Sequence, residues 1–193
     1  MPDAMPTRTV HPVLNLPNAI TFARLCAVPI SVWLVMRQRF DLAFALFAAA
    51  GLSDAVDGWL ARRQGGTALG AILDPAADKA LLVCMYITLA AVGVLPDWLA
   101  VLVVFRDLVI VGGVLVLWVL GQPPAIRPLL VSKLNTAAQI VLAGVALLLA
   151  GFGLRADGLL SALVWAVAGT TLASGGAYVA ATLRKQRDAA GGA

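Results

Sequence analysis

Asp54-Ala-Val-Asp57-Gly58-Trp-Leu-Ala61-Arg62-Arg-Gln-Gly-Gly-Thr-Ala-Leu-Gly70-Ala-Ile-Leu-Asp74-Pro-Ala-Ala-Asp78 is the stretch that decides the fold. It holds four aspartates, Asp54 and Asp57 three residues apart and Asp74 and Asp78 four apart. On a helix, either spacing puts two side chains on one face. Two helices can therefore each offer a pair of carboxylates to a shared point. Four carboxylates converge only around a cation, because like charges repel and burial raises the cost. A hard divalent ion with oxygen ligands, Mg2+ or Mn2+, suits such a donor set.

The surroundings are apolar. Of 193 residues, 61% are hydrophobic and 12% charged, with a mean hydropathy of +0.93. Soluble domains are nearer half apolar and a quarter charged. A membrane span needs about 20 mainly apolar residues. The expected fold is all-α, a polytopic membrane protein with a six-transmembrane-helix bundle. The formal charge of +4 is assigned to anionic lipid headgroups and the positive-inside rule, and no nucleic-acid partner is expected. All ten acidic residues are Asp, and acids within apolar segments mark functional sites. Cys26 and Cys84 fall in apolar runs and are expected to be small core residues.

Residues 1–16 are expected to form a flexible cytoplasmic tail, 17–184 a single transmembrane domain, and 185–193 a disordered tail. The first span should run to about Met36, with Asn18 as its N-cap. Asn18, Thr21 and Arg24 share a face. Arg24 either snorkels to the interface or clamps a phosphate with its forked donors. The second span, about Leu42 to Ala61, and the third, about Leu69 to Leu95, are joined by a short Gly-containing loop. That loop predicts antiparallel neighbours with both carboxylate pairs at one depth. The fourth span, about Trp98 to Leu120, carries Arg106 and Asp107 near its middle. Adjacent helical residues do not face each other, so each is expected to need its own partner, either in a structural ion pair or on a substrate phosphate. The fifth span starts near Ser132 and carries Lys133, Thr136 and Gln139. The sixth, about Leu159 to Leu183, holds Thr170, Thr171, Ser174, Gly175 and Gly176, expected to serve close packing. Basic residues concentrate on the side of the termini, which predicts that the aspartate cluster faces the cytoplasm.

Two divalent ions held by carboxylates suit phosphoryl-group transfer. The chain has no G-x-x-x-x-G-K-[ST] loop, and its one histidine, His11, lies ahead of the first span. Direct displacement at phosphorus with an Asp as general base fits these residues. A competing reading makes the carboxylates the transport site of a divalent-cation carrier. The glycine spacing and Arg62 beside the acids argue for the enzyme.

The pattern Asp54-x-x-Asp57-Gly58-x-x-Ala61-Arg62, seven further residues, then Gly70-x-x-x-Asp74-x-x-x-Asp78 resembles the signature of the CDP-alcohol phosphatidyltransferases, with eight matching identities. The likeness extends from about Asn15 to Leu183. It implies that Asp54, Asp57, Asp74 and Asp78 hold two divalent cations, Mg2+ or Mn2+, and that Asp78 also takes the acceptor hydroxyl proton. It implies that Gly58, Ala61, Arg62 and Gly70 contact the CDP-lipid, CDP-diacylglycerol, and that the products are a phospholipid and CMP. It also implies a homodimer with six spans. The Asn15-x-Pro17-Asn18-x-x-Thr21-x-x-Arg24 segment resembles the phosphatidylglycerophosphate synthase and cardiolipin synthase branch. Phe105-Arg106-Asp107 and Ser132-Lys133-x-Asn135-Thr136-Ala137 tilt towards CMP-forming cardiolipin synthase and a phosphatidylglycerol acceptor, with glycerol 3-phosphate as the alternative. Asn18, Thr21, Arg24, Arg106, Asp107 and Lys133 are the candidate acceptor- or phosphate-binding residues. The short N-terminal segment lacks an Arg/Ser-rich amphipathic presequence, which favours a bacterial inner membrane.

Overall fold

Three times among the described residues a helix closes on a left-handed residue and the next helix carries an aspartate in its first turn. The computed structural model describes residues 16–64, 70–119 and 130–191, and side chains at 23–53, 79–113, 130–178 and 180. It contains α1 (Leu16–Met36), α2 (Phe40–Gln64), α3 (Gly70–Ala91), α4 (Asp97–Val119), α5 (Leu130–Phe152) and α6 (Asp157–Gly191). No strand occurs among the described residues. Helices α1, α3 and α5 are followed by Gln38, Gly93 and Gly153, with φ of 59°, 76° and 63°. Beyond each, an amide reaches back to an orphan carbonyl: Arg39 N to Leu34 O, Val94 N to Leu89 O and Leu154 N to Leu149 O, all 2.9 Å. This closure satisfies carbonyls that the helix end would leave bare. Asp41, Asp97 and Asp157 then occupy the first turns of α2, α4 and α6, where a carboxylate complements the helix dipole. Arg39 donates to both carboxylate oxygens of Asp41, at 3.3 and 3.4 Å. That bond, followed by one from the Leu42 amide, holds the Asp41 carboxyl below its usual range.

The three hairpins pack into one bundle. Helix α1 rests on α2 and α3, α5 on α2, α3 and α6, and α4 on α3 and α6. The core runs through Val35, Phe47, Met85, Tyr86, Leu89, Leu99, Leu142 and Val167. Tyr86 Oη donates to the Gln139 carbonyl at 3.1 Å, tying α3 to α5. The end of α5 lies against the start of α2. A Cβ on Gly151 would fall 2.7 Å from Asp41 N and 2.9 Å from the Phe40 carbonyl carbon. Backbone atoms cannot step aside as a side chain can, so Gly151→Ala is expected to destabilise the protein by about 1–3 kcal/mol. A lower midpoint of thermal unfolding in detergent would report it; an unchanged midpoint would mean that α2 and α5 pack less closely than this. With these contacts, the α1–α2, α3–α4 and α5–α6 turns share one end of the bundle. Gln64 and Gly70 belong to the other.

The outer surface is apolar and the inside is partly polar. Val101, Phe105, Leu108, Leu130 and Trp165 are each about two-thirds exposed or more, while Arg24, Arg106, Asp107, Asn135 and Gln139 are buried. Water would favour the reverse; a hydrocarbon surround favours this arrangement. Among the described residues, two helices are long and apolar enough to cross a membrane, Leu130–Phe152 and Asp157–Tyr178, while Ala23–Met36, Phe40–Ser53 and Lys79–Ala91 are shorter apolar stretches.

Several expected boundaries shift. Helix α1 begins at Leu16, so Asn18 is a helical residue and not the N-cap; Pro17 falls in the first turn, where its missing N–H costs nothing. Helix α3 stops at Ala91 rather than Leu95, because Gly93 turns the chain first. Residues 185–191, expected to be disordered, continue α6 to Gly191; Arg, Lys, Gln and Ala there are good helix formers. The tail before residue 16 lies outside the described residues. Helices α2 and α3 make no contact with each other among the described residues; α1 and α5 each touch both. Cys26 is exposed and Cys84 half-buried, so neither is a fully buried core residue.

Candidate active site

The first half of α3 and the middle of α4 meet at a buried ion cluster. Lys79 Nζ lies 2.6 Å from Asp107 Oδ2, and Arg106 Nη1 lies 2.8 Å from Asp107 Oδ1. One carboxylate thus serves two cations. Arg106 Nη2 also donates to Ser132 Oγ of α5 at 2.8 Å, and to Ser174 Oγ of α6. The Arg106 and Asp107 side chains are only 6% and 7% exposed, Lys79 35%. Four helices are therefore joined at one guanidinium and one carboxylate. A buried charge survives only with such multiple partners.

This corrects the expectation that Arg106 and Asp107 cannot pair. Their Cα–Cβ bonds diverge, but the Arg side chain is long enough to fold back across the turn. Each also has the partner on another helix that was expected. Lys79 is one of the basic residues on the side of the termini, and Ser174 is expected to serve packing. Both belong to the cluster. Their signal in the sequence is weak: a lysine one residue after Asp78, and a serine in a run of small residues.

The polar lining continues along α5 and α6. Thr171 Oγ1 donates to Asn135 Oδ1 at 2.9 Å, and Thr170 Oγ1 lies equally close to it. Arg106 Nε, Asn135 Nδ2 and both amide atoms of Gln139 are buried without a hydrogen-bond partner. Such polar groups are costly when unsatisfied, so this column is suited to receiving a polar ligand or ordered water. Thr136 Oγ1 instead donates to the Ser132 carbonyl at 3.2 Å. Lys133 is exposed and does not join the cluster. Arg24 is 4% exposed on α1, which removes the snorkelling alternative for the described structure.

Of the motif, Asp54, Asp57, Gly58, Ala61 and Arg62 lie in α2, and Gly70, Asp74 and Asp78 in α3. Their side chains, with those of Asn18 and Thr21, fall outside the described residues. The donor set itself, carboxylates only, fits a hard divalent cation. Lys79 connects the motif to the ion cluster, being the next residue after Asp78.

Comparisons with known proteins bear on the same residues. The chain is 35% identical over 180 residues to the rice chloroplastic CDP-diacylglycerol–glycerol-3-phosphate 3-phosphatidyltransferase 1, covering 83% of this chain and 55% of that protein. It is 30% identical over 182 residues to the rat cardiolipin synthase (CMP-forming), covering 85% of this chain and 60% of that protein. A 119-residue stretch is 36% identical to the Streptomyces coelicolor cardiolipin synthase (CMP-forming), covering 58% of this chain and 55% of that protein. The chain spans little more than half the length of these curated relatives. The family model described as CDP-alcohol phosphatidyltransferase matches residues 14–173, a stretch that takes in the whole aspartate motif and every member of the Arg106 cluster except Ser174. On that match, the chain belongs to the CDP-alcohol phosphatidyltransferase family.

Proposed function

We propose that the protein is a membrane enzyme that transfers a phosphatidyl group from CDP-diacylglycerol to an alcohol, releasing CMP. The observation that carries this is the eight-residue pattern from Asp54 to Asp78, followed directly by a lysine anchored to a buried ion cluster. Asp78 removes the proton from the acceptor hydroxyl. The freed oxygen attacks the phosphatidyl phosphorus, the bond from phosphorus to CMP breaks, and CMP leaves. Asp54, Asp57, Asp74 and Asp78 would hold two divalent ions, Mg2+ or Mn2+. When bound, these neutralise the diphosphate and stabilise the entering and leaving oxygens. Gly58, Ala61, Arg62 and Gly70 would border the CDP-lipid.

The acceptor would approach the polar column. Arg106 Nε and Asn135 Nδ2 are buried donors without a hydrogen-bond partner, and Asp107 holds Arg106 in place. Asn18, Thr21, Arg24 and Lys133 remain candidates for its phosphate. Phosphatidylglycerol, giving cardiolipin, is the preferred acceptor; glycerol 3-phosphate is the second reading. One relative's name carries glycerol 3-phosphate and another's carries cardiolipin. The six helices would all span a bacterial inner membrane, with the α2–α3 end at the cytoplasm and two copies forming a homodimer.

Purified protein given CDP-diacylglycerol and Mg2+ is expected to release CMP with phosphatidylglycerol and little with glycerol 3-phosphate. Chelation should stop release and added Mg2+ or Mn2+ restore it. The reverse acceptor preference would replace the first reading with the second. Metal flux across liposomes without any lipid substrate, and no CMP from either acceptor, would favour the carrier.

A further inference from the structure

At the opposite end of the bundle from Gln64 and Gly70 is a cleft of about 400 Å3 between the α3–α4 and α5–α6 turns. Its floor is apolar, from Val94, Ala146, Leu149 and Leu160, and its rim carries Arg155 and Asp157. Those two charges are two residues apart, exposed, and form no ion pair with each other or with any other side chain among the described residues. The other hairpin turn that carries an Arg and an Asp at this spacing behaves differently: Arg39 and Asp41 do pair. The α5–α6 turn therefore presents one free cation and one free anion above an apolar floor.

Tryptophans mark this end as a membrane interface. Trp33, Trp98 and Trp165 are all half-exposed or nearly so. Trp98 and Trp165 rings lie 5.5 Å apart, and the Arg37 guanidinium lies 6.0 Å from the Trp33 ring centroid. Exposed Trp with Arg at helix ends is characteristic of the headgroup level. The cleft thus opens where lipid phosphates are concentrated, and its size is that of an ordinary small-molecule pocket.

We propose that this cleft binds a phospholipid whose headgroup carries both a phosphate and a primary ammonium. Arg155 takes the phosphate through its forked donors. Asp157 accepts hydrogen bonds from the ammonium. The first methylenes of an acyl chain lie along Leu149 and Leu160. An anionic headgroup would satisfy Arg155 but be repelled by Asp157. A choline headgroup has the charge but no N–H to donate.

Native mass spectrometry of the purified full chain can test this with equal amounts of phosphatidylethanolamine, phosphatidylcholine and phosphatidylglycerol sharing the same acyl chains. Phosphatidylethanolamine is expected to be retained roughly ten-fold more than either, the scale of one charge-assisted contact. Asp157→Asn should remove the preference over phosphatidylcholine. Arg155→Gln should lower retention of phosphatidylethanolamine, and Arg155→Lys should restore much of it. Equal retention of the three lipids by the unaltered chain, stronger retention of phosphatidylglycerol, or a preference that survives both variants would overturn the proposal. The comparison among headgroups on the unaltered chain decides even if a variant fails to fold. No CDP-lipid is added, so the outcome is separate from that of the CMP-release assay.

Discussion

Replacing Asp78 by Asn is expected to lower CMP release roughly 10²–10⁴-fold, the range spanned by a positioned general base. Asn has nearly the size and shape of Asp, so packing in the first turns of α3 should be undisturbed. It cannot accept a proton from the acceptor hydroxyl, and it removes one negative charge from the metal-binding set. Metal titration separates the two losses. A variant impaired only in holding metal, such as Asp54→Asn, should regain activity as Mg2+ is raised. Asp78→Asn should not, because no concentration of metal replaces the missing base. CMP release from Asp78→Asn equal to that of the unaltered protein would remove Asp78 from the base role. Full recovery at high Mg2+ would leave it as a ligand alone.

The chemistry-bearing stretch could be read from the chain because it depends on identities at fixed spacing. Eight positions between Asp54 and Asp78 specify it, and the family match covers them. The six helices could be read because each carries an apolar run bounded by turn-forming or charged residues. What escaped was decided by local backbone geometry and by side-chain reach. Gln38 takes a left-handed conformation that glycine usually fills, so nothing in its identity announced the end of α1. Gly93 carries that signal, but the apolar run continues past it to Leu95. Arg106 folding back to Asp107 defied a rule about helix faces that applies to short side chains and not to a guanidinium on three methylenes. Ser174 looked like a packing residue because a hydroxyl's partner, here Arg106 on another helix, cannot be inferred from neighbours in sequence. That the α5–α6 turn leaves its charges unpaired could not be read from their identities, since the pairing of Arg39 with Asp41 and the lack of it between Arg155 and Asp157 depend on the turn and not on the residues.

Asp107→Asn should destabilise the protein by about 3–5 kcal/mol, the usual result of removing one partner from a buried ion pair. The carboxylate is 7% exposed and neutralises Arg106, itself 6% exposed. With Asn in place, Arg106 keeps its hydroxyl partners Ser132 and Ser174 but loses its counter-charge. Lys79, 35% exposed, can extend towards water and adds less to the loss. The double variant Arg106→Met with Asp107→Leu should recover most of the stability, because apolar residues of similar volume are often as good in a buried site as the pair they replace. Thermal unfolding in detergent would rank the three proteins: unaltered, then the double variant, with Asp107→Asn lowest. Activity should rank differently. If Arg106 Nε reaches the acceptor, the double variant will be folded yet release little CMP, with the loss greatest at low acceptor concentration. If it releases CMP as the unaltered protein does, the cluster only holds α3, α4, α5 and α6 together, and acceptor recognition must fall to other residues, with Arg24 and Lys133 the next to change. A stable Asp107→Asn would mean that Arg106 is not buried as described, since a guanidinium in an apolar interior cannot lose its counter-charge without cost.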